Sequence, residues 1–437
     1  MQKKGAQKLI LILLSVLIAL ILAACSSQKP QNTAEEQTGF KPKLDTQTKA
    51  TVKVVGHYNN FEALEAEFNR FNEYYPNVEL SYSYLDNYSG IILTSLNGND
   101  APDIFFVYPW MVTTPDNRDL MQAAEDLSDQ SLGIDLSCIR ESVLIKDSDG
   151  RLPMIPIYST TVGMMVNDSI FEKEKISIPK TYDELVSTCE ALQKAGYSYP
   201  VMGYNSTSLM LFPLYYPYLS AQLSGNSSAL TDLNEMKTGA GEHLRNALQI
   251  VSDFAGRGFI DLEACSALEN DYNAVIMRFF EGDIPMMMAS GGTVSGTEKR
   301  ESQSEAFYAN PFKYSFHPVP ADEKGGYFLE TVSVGFAVNK NAPNLDMANE
   351  FMRFLISSEE LNRMAKNKRM VTPSRDIFPD DIYASFGELP TENVINQSEL
   401  GLDETPDSQI RLAGWLIANG KLTVDEAISS FGYISND

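Results

Sequence analysis

The chain has 437 residues and 43% apolar content, ordinary for a globular protein, which excludes a chain disordered throughout. That length accommodates two lobes with cores of their own. A formal net charge of −24 repels phosphate backbones, so neither nucleic acid nor an anionic lipid surface is an expected partner of the folded body.

At the N-terminus, Lys3, Lys4 and Lys8 precede an apolar run from Leu9 to Leu22, interrupted by Ser15. Leu22-Ala23-Ala24-Cys25 follows. A basic start, a short apolar stretch and small residues form an export signal over 1–24. The run is short for a membrane span. The tetrad is similar to the bacterial lipobox, in which the cysteine is lipidated and becomes the first mature residue. Cys25 is therefore expected to anchor the protein at the outer face of the cell membrane, or in the periplasm where an outer membrane exists. Residues 25–50 hold much Gln, Thr, Lys and Glu and read as a disordered tether. Cys138, Cys189 and Cys265 lie far apart and are odd in number, so buried free thiols are expected over a disulfide with one thiol left.

The body opens on a strand, Thr51–Val55. Asn59 and Glu62 have the spacing of a capping box, and Phe61, Leu64, Phe68, Phe71 and Tyr75 stripe a helix that Pro76 ends. Val78, Leu80, Tyr82 and Tyr84 alternate as a strand. A short helix around Ile91–Leu96 leads to a compact apolar strand, Ile104–Val107. Strand–helix–strand–helix–strand is an α/β pattern with a mostly parallel sheet. Further helices are expected from the Thr181/Glu184 box to about Ala195 and through the Leu244–Phe254 stripe. A strand covers Val332–Val338. Three more helices are expected, along Met347–Leu355, around Leu412–Ile417 and after Thr423.

Six segments in this order resemble the extracellular solute-binding proteins of ABC importers, in the carbohydrate-binding group that includes maltose-binding protein. They are F-N-R-F-N-E-Y-Y-P-N-V-E-L (68–80), A-P-D-I-F-F-V (101–107), I-P-I-Y-S-T-T-V-G-M-M-V-N-D-S-I-F (155–171), I-P-K-T-Y-D-E-L (178–185), F-F-E-G-D-I-P-M-M-M (279–288) and A-N-G-K-L-T-V-D-E-A-I (418–428). The resemblance implies a two-lobed, periplasmic-binding-protein type II-like α/β fold, with mostly parallel sheets flanked by helices. It implies lobe 1 over 51–157 plus 287–331 and lobe 2 over 158–286 plus 332–437, joined by crossover strands. It also implies hinge closure on a sugar or oligosaccharide, delivery to permease subunits in the membrane, a monomer, and no catalysis or cofactor. The family's strand after Phe-x-x-Gly passes between lobes, so Met286 and Met288 are expected on one face and Met287 on the other. Core packing is favoured over a soft metal site for these methionines.

Sugars are held by aromatic faces and planar polar groups. Mapped onto this chain, the resemblance points to Tyr58 and Asn59 after the first strand. Asn59 has the alternative of a helix cap. Tyr108 and Trp110 follow the strand Ile104–Val107, and Tyr158 and Thr160 lie on the first crossover. Phe212 opens the aromatic run 211–219, whose tyrosines are read as covering the lobe. Ser290, Gly291 and Gly292 fall at the cleft mouth, where glycines let backbone approach a ligand. Asn205, Glu330 and Asp407 are polar candidates, with an exposed loop acid as the alternative for Asp407. No aromatic follows Gly291-Gly292-Thr293, which argues against a long linear glucan.

Other readings stay open. A peptide or polyol phosphate would also suit a binding protein, although the candidate loops hold almost no Arg or Lys. Presentation of ligand to a receptor rather than a permease is compatible with the same residues. Acids are plentiful enough for the carboxylate pair of a glycoside hydrolase. No nucleophile elbow or phosphate-binding loop is present, and His57, His243 and His317 lack metal-site spacing. The basic stretch Arg363, Lys366, Lys368 and Arg369 reads as a solvated helix end.

Overall fold

The computed structural model describes residues 39–98, 100–203, 210–268, 271–376 and 380–434. The chain divides after Lys43; residues 39–43 hold no helix or strand, and Leu44–Asp437 carries every element below. The export signal, Cys25 and the tether as far as residue 38 lie outside the described residues. The tether ends sooner than expected. The Leu44 amide donates to the Tyr75 hydroxyl at 3.2 Å, and Asp45 Oδ1 accepts the Gln47 amide at 2.9 Å, so residues 44–49 are tied to the folded body.

Strands run in chain order as β1 (Ala50–Gly56), β2 (Val78–Tyr84), β3 (Ile104–Val107), β4 (Ile155–Thr160), β5 (Val162–Asn167), β6 (Val201–Met202), β7 (Met286–Ser290), β8 (Tyr314–His317), β9 (Pro320–Asp322), β10 (Gly325–Gly326), β11 (Phe328–Val338) and β12 (Val394–Asn396). One sheet has the order β12-β11-β3-β1-β2, with β4 also on β11; a second has the order β6-β7-β5-β8, and β9 and β10 pair as a separate two-stranded one. β1 pairs in parallel with β2 and β3, while β11 runs antiparallel to β3 and β4. Parallel strands need a crossover, and the helices Glu62–Phe71 and Tyr88–Leu96 supply two.

The Glu62–Phe71 helix forms where the aromatic stripe predicts it. Asn59 is not its cap: the cap residue is Phe61, with no side-chain cap bond. Phe68 and Phe71 meet Phe351 of the helix Leu345–Leu355 at ring-centroid distances of 5.0 and 5.2 Å. Each such buried ring contributes roughly 1.5–3 kcal/mol, which binds a segment late in the chain to the first sheet.

β5 and β7 form the centre of the second sheet. Met164 faces Met288 and Met165 faces Met287 across the ladder, all four buried. Neighbouring residues of a strand point to opposite faces, so the methionines fill core on two sides of the sheet. Among the described residues, no group of three or more His, Cys, Asp or Glu is placed to hold a metal. Cys138, Cys189 and Cys265 are unpaired thiols.

Two expectations about connectivity are corrected. β7 does not pass between lobes; it lies wholly in the second sheet, between β6 and β5. β11 lies in the first sheet, with Gly335–Val338 on β3 and Thr331–Phe336 on β4. Residues 287–327 therefore run with the second sheet rather than the first. The segment 332–367 runs with the first, because the helices Leu345–Leu355 and Ser358–Asn367 pack on β1, β4 and the Glu62–Phe71 helix. Periodicity marks β11 as a buried strand but does not name its neighbours. The passage between sheets occurs at Thr160–Val162, where β4 ends and β5 begins, and again before Phe328.

Candidate functional site

In open α/β sheets, ligands lie outside the carboxyl ends of the parallel strands. Those ends here are Gly56, Tyr84 and Val107. Three candidate aromatics follow them. Tyr58 packs edge-on against Phe61 and Phe106 at 5.2 and 5.1 Å, and its carbonyl accepts the Tyr82 hydroxyl at 2.8 Å. Tyr108 is half-buried and edge-on to Tyr88, and burial pushes its phenol up to about 12. Trp110 lies in the first turn of the helix Pro109–Thr113 and stays 39% exposed. A large indole left this open next to a strand end is available for stacking. Just beyond it, Thr114 Oγ1 lies 3.5 Å from Glu404 Oε2 on the helix Glu404–Ala418 of the second lobe. Asn59 is exposed beside Tyr58.

The floor between the sheets is built from the crossover. Thr161 Oγ1 accepts the Leu329 amide at 3.2 Å, and the Thr161 carbonyl accepts the Gly291 amide at 2.8 Å. Thr160 is half-buried against Gly291, where an added Cβ would lie 2.5 Å from Thr160 Oγ1 and 3.0 Å from the Tyr383 hydroxyl. Only glycine fits there without displacement. Gly292 is half-buried, and Ser290 is the cap of the helix Gly291–Ser295, its Oγ accepting the Thr293 amide at 3.3 Å. That hydroxyl already serves the backbone.

Two expected contacts are engaged elsewhere. Tyr158 is buried among the core rings of the first lobe beside Phe61, rather than presented at the crossover surface. Glu330 is 2% exposed and forms an ion pair with Arg140, with Asn396 Nδ2 at 3.4 Å from its other oxygen. Arg140 also donates to the Thr372 and Ser374 carbonyls. Glu330 thus joins the chain segments around residues 140, 330 and 373, and its charge is already compensated.

Phe212 and Asp407, distant in sequence, come together in the second lobe. Phe212 stacks on Tyr216 at 4.3 Å, and the Arg411 guanidinium covers the ring at 4.7 Å. Arg411 donates to Asp407 Oδ2 at 2.7 Å. Asp407 is not on a loop; it lies in the first turn of the helix Glu404–Ala418, one turn before Arg411. Phe212 is 1% exposed, so it offers no open face. Asn205 lies outside the described residues.

The basic stretch is not simply a solvated helix end. Arg363 pairs with Glu359 and Glu360. Arg369 reaches the second lobe, donating to Thr297 Oγ1 at 2.9 Å and the Tyr314 hydroxyl at 3.1 Å, with Glu298 3.1 Å away. Lys368 places its Nζ 5.6 Å from the centre of the Tyr58 ring. Arg140, Arg369 and Lys368 are the residues sequence reading missed. The run of four basic residues was the available signal for two of them. A concavity between Lys49–Thr51 and Pro76–Glu79 lies at the opposite, N-terminal ends of β1 and β2, and gathers none of these groups.

The family profile described as bacterial extracellular solute-binding protein matches residues 56–361. An uncharacterized ABC transporter extracellular-binding protein of Pyrococcus horikoshii is 26% identical over 183 residues, 40% of this chain. The match spans only 42% of that relative's length. Among solved structures, the apo form of RafE from Streptococcus pneumoniae superposes with a TM-score of 0.67 at 15% identity, over 88% of this chain and 97% of that one. The sugar-binding protein MalE from Xanthomonas citri gives 0.66 at 16% identity, over 87% and 95%. The GacH receptor of Streptomyces glaucescens, solved without ligand and with acarbose, gives 0.65 at 15% identity, over 88% and 97%. At these identities the likeness is one of fold, and that fold is the two-lobed α/β architecture.

Proposed function

The chain belongs to the bacterial extracellular solute-binding proteins, and we propose from that premise that it captures a sugar or oligosaccharide between its lobes for an ABC importer. Lobe closure by hinge motion at Thr160–Val162 and ahead of Phe328 presents the loaded form to permease subunits. Ligand favours closure only by its differential affinity for the closed state. The protein works as a monomer, held at the cell surface through lipidated Cys25. It carries out no reaction on the solute.

The observation that carries this reading is the placement of Tyr58, Tyr108 and Trp110. All three follow the carboxyl ends of parallel strands, on the side from which Thr114 reaches Glu404 of the other lobe. Aromatic faces beside a few polar groups suit pyranose rings. Fold neighbours support the solute class: MalE is a sugar-binding protein, and GacH binds acarbose.

A thermal-shift screen of the purified protein against mono- and oligosaccharides, peptides and polyols tests it. Ligand at about a hundred times its Kd adds about 2.7 kcal/mol of stability. A shift with one sugar class, lost in Trp110→Ala, is the expected result. Shifts confined to peptides or phosphates would overturn the carbohydrate reading, and hydrolysis of a bound oligosaccharide by the pure protein would overturn the non-catalytic one.

A further inference from the structure

Lys368 lies just past the C-terminal end of the helix Ser358–Asn367. Its ammonium is half-buried and stands 5.6 Å from the Tyr58 ring centre and 6.0 Å from that of Phe61. Tyr58 is the aromatic that follows β1 toward the second lobe. On that other lobe the exposed Lys299, in the helix Thr297–Glu301, is close enough to act on Lys368 as a like charge. One positive group on each lobe thus lies within electrostatic reach of the other.

Their neighbours in sequence behave differently. Arg363 pairs with Glu359 and Glu360, and Arg369 with Glu298 at 3.1 Å. Among the described residues, neither Lys368 nor Lys299 has a carboxylate at ion-pair distance. Glu62 attracts Lys368 from farther away, and its carboxylate is engaged by Asn60 Nδ2 at 2.9 Å. The chain has 58 acidic residues against 34 basic ones, so carboxylates are abundant, yet among the described residues none forms an ion pair with either lysine. A buried charge is normally paired. Burial, with Lys299 adding to it, lowers the Lys368 ammonium from its usual range. Attraction to the faces of Tyr58 and Phe61 offsets part of the lost hydration, but leaves the position open to an anion.

We propose that Lys368, assisted by Lys299, selects a solute bearing a carboxylate, which makes the captured sugar an acidic one of the uronate class. This deepens the carbohydrate reading above and rests on it. The combination fits such a molecule better than a bare anion. The half-buried Tyr58 sets an aromatic ring beside the ammonium, and a uronate presents a ring next to a single negative charge. On lobe closure the carboxylate meets ammonium groups from both sides, so closure is favoured more by the acidic sugar than by its neutral counterpart.

Calorimetric titration of the purified full chain tests this with matched oligosaccharides that differ only in a C6 carboxylate or hydroxymethyl group. Oligogalacturonate against oligogalactose and a glucuronate-bearing against a glucose-bearing oligomer are suitable pairs. At least one acidic member is expected to bind tenfold or more tightly than its partner. In Lys368→Gln the ratio of acidic to neutral affinity falls toward one. Lys299→Gln, at an exposed position with little risk to the fold, reduces it partly. Melting curves of the unliganded variants confirm that they fold. Neutral sugars bound as tightly as acidic ones would overturn the selection by Lys368 and leave sugar capture standing. Binding of neither kind would overturn both.

Discussion

The hydroxyl of Thr161 accepts the backbone amide of Leu329 at 3.2 Å, and so joins two of the segments that pass between the lobes. Both residues are buried. Thr161→Val keeps the shape of the side chain and removes the acceptor. The Leu329 N–H is then left without its partner in a dry place, at a cost of about 1–3 kcal/mol. The midpoint of denaturant unfolding should fall accordingly, with the slope unchanged. A variant that unfolds with the wild-type midpoint would show that water reaches the amide.

Arg140 and Glu330 form the second tie across the first lobe. A buried ion pair contributes little net stability, but removal of one partner strands the other charge. Arg140→Ala leaves Glu330 without its cation and the Thr372 and Ser374 carbonyls without their donor. A loss of about 3–5 kcal/mol is expected. The double variant Arg140→Met with Glu330→Leu should lose less than Arg140→Ala alone. If instead the double variant is the weaker one in chemical denaturation, the pair is more than a mutual neutralisation.

Gly291 reports on how tightly the crossover is packed. Its missing Cβ would lie 2.5 Å from Thr160 Oγ1, on a short β-branched side chain with little room to turn. Gly291→Ala should cost about 1–3 kcal/mol through overpacking. Thr160→Ala in the same chain removes the obstacle and should recover most of the loss, a coupling that a thermodynamic cycle measures directly. Additive effects of the two changes would sink the explanation.

What is legible in the sequence follows physical range. The helical spacing of Leu64, Phe68 and Phe71 and the dense run Ile104–Val107 are local patterns, and both elements form where they predict. The order of six segments carries the two-lobed architecture. Strand partners are long-range facts, and the segment order places β11 and β7 wrongly because a buried strand looks alike in either sheet. For the site, Tyr58, Tyr108 and Trp110 are readable as residues that follow strands. The engagement of Glu330 is not, since its partner Arg140 lies 190 positions earlier. Asp407 reads as a loop acid because Pro406 masks the first turn of a helix, where proline is in fact tolerated. Lys368 is hidden within a charge run whose usual explanation is solvent.

Glu67 and Glu360 bring two carboxyls together beneath the first sheet's helices. Glu67, on the helix Glu62–Phe71, has a fully buried side chain, and no donor reaches either of its oxygens. Across from it, Glu360 receives both the Nε and one terminal nitrogen of Arg70 at 2.9 Å. The arginine therefore keeps Glu360 ionised, while burial, reinforced by the Glu360 carboxyl, pushes Glu67 up to about 9. Arg70 and Arg363, at 3.6 and 3.9 Å, oppose this only in part. An unfolded glutamate titrates near ~4.3. Between that pH and about 9 the folded chain holds a proton on Glu67 that the unfolded chain does not. Stability must then fall as pH rises through this window, by up to about 1.4 kcal/mol per pH unit, and level off above the folded value. Glu67→Gln cannot titrate and resembles the protonated acid. Other groups titrate identically in both proteins, so the difference between their stability curves isolates Glu67. Urea denaturation from pH 5 to pH 9 should show the variant gaining on the wild type steadily with pH. Parallel curves across that range would mean that Glu67 is ionised in the folded protein.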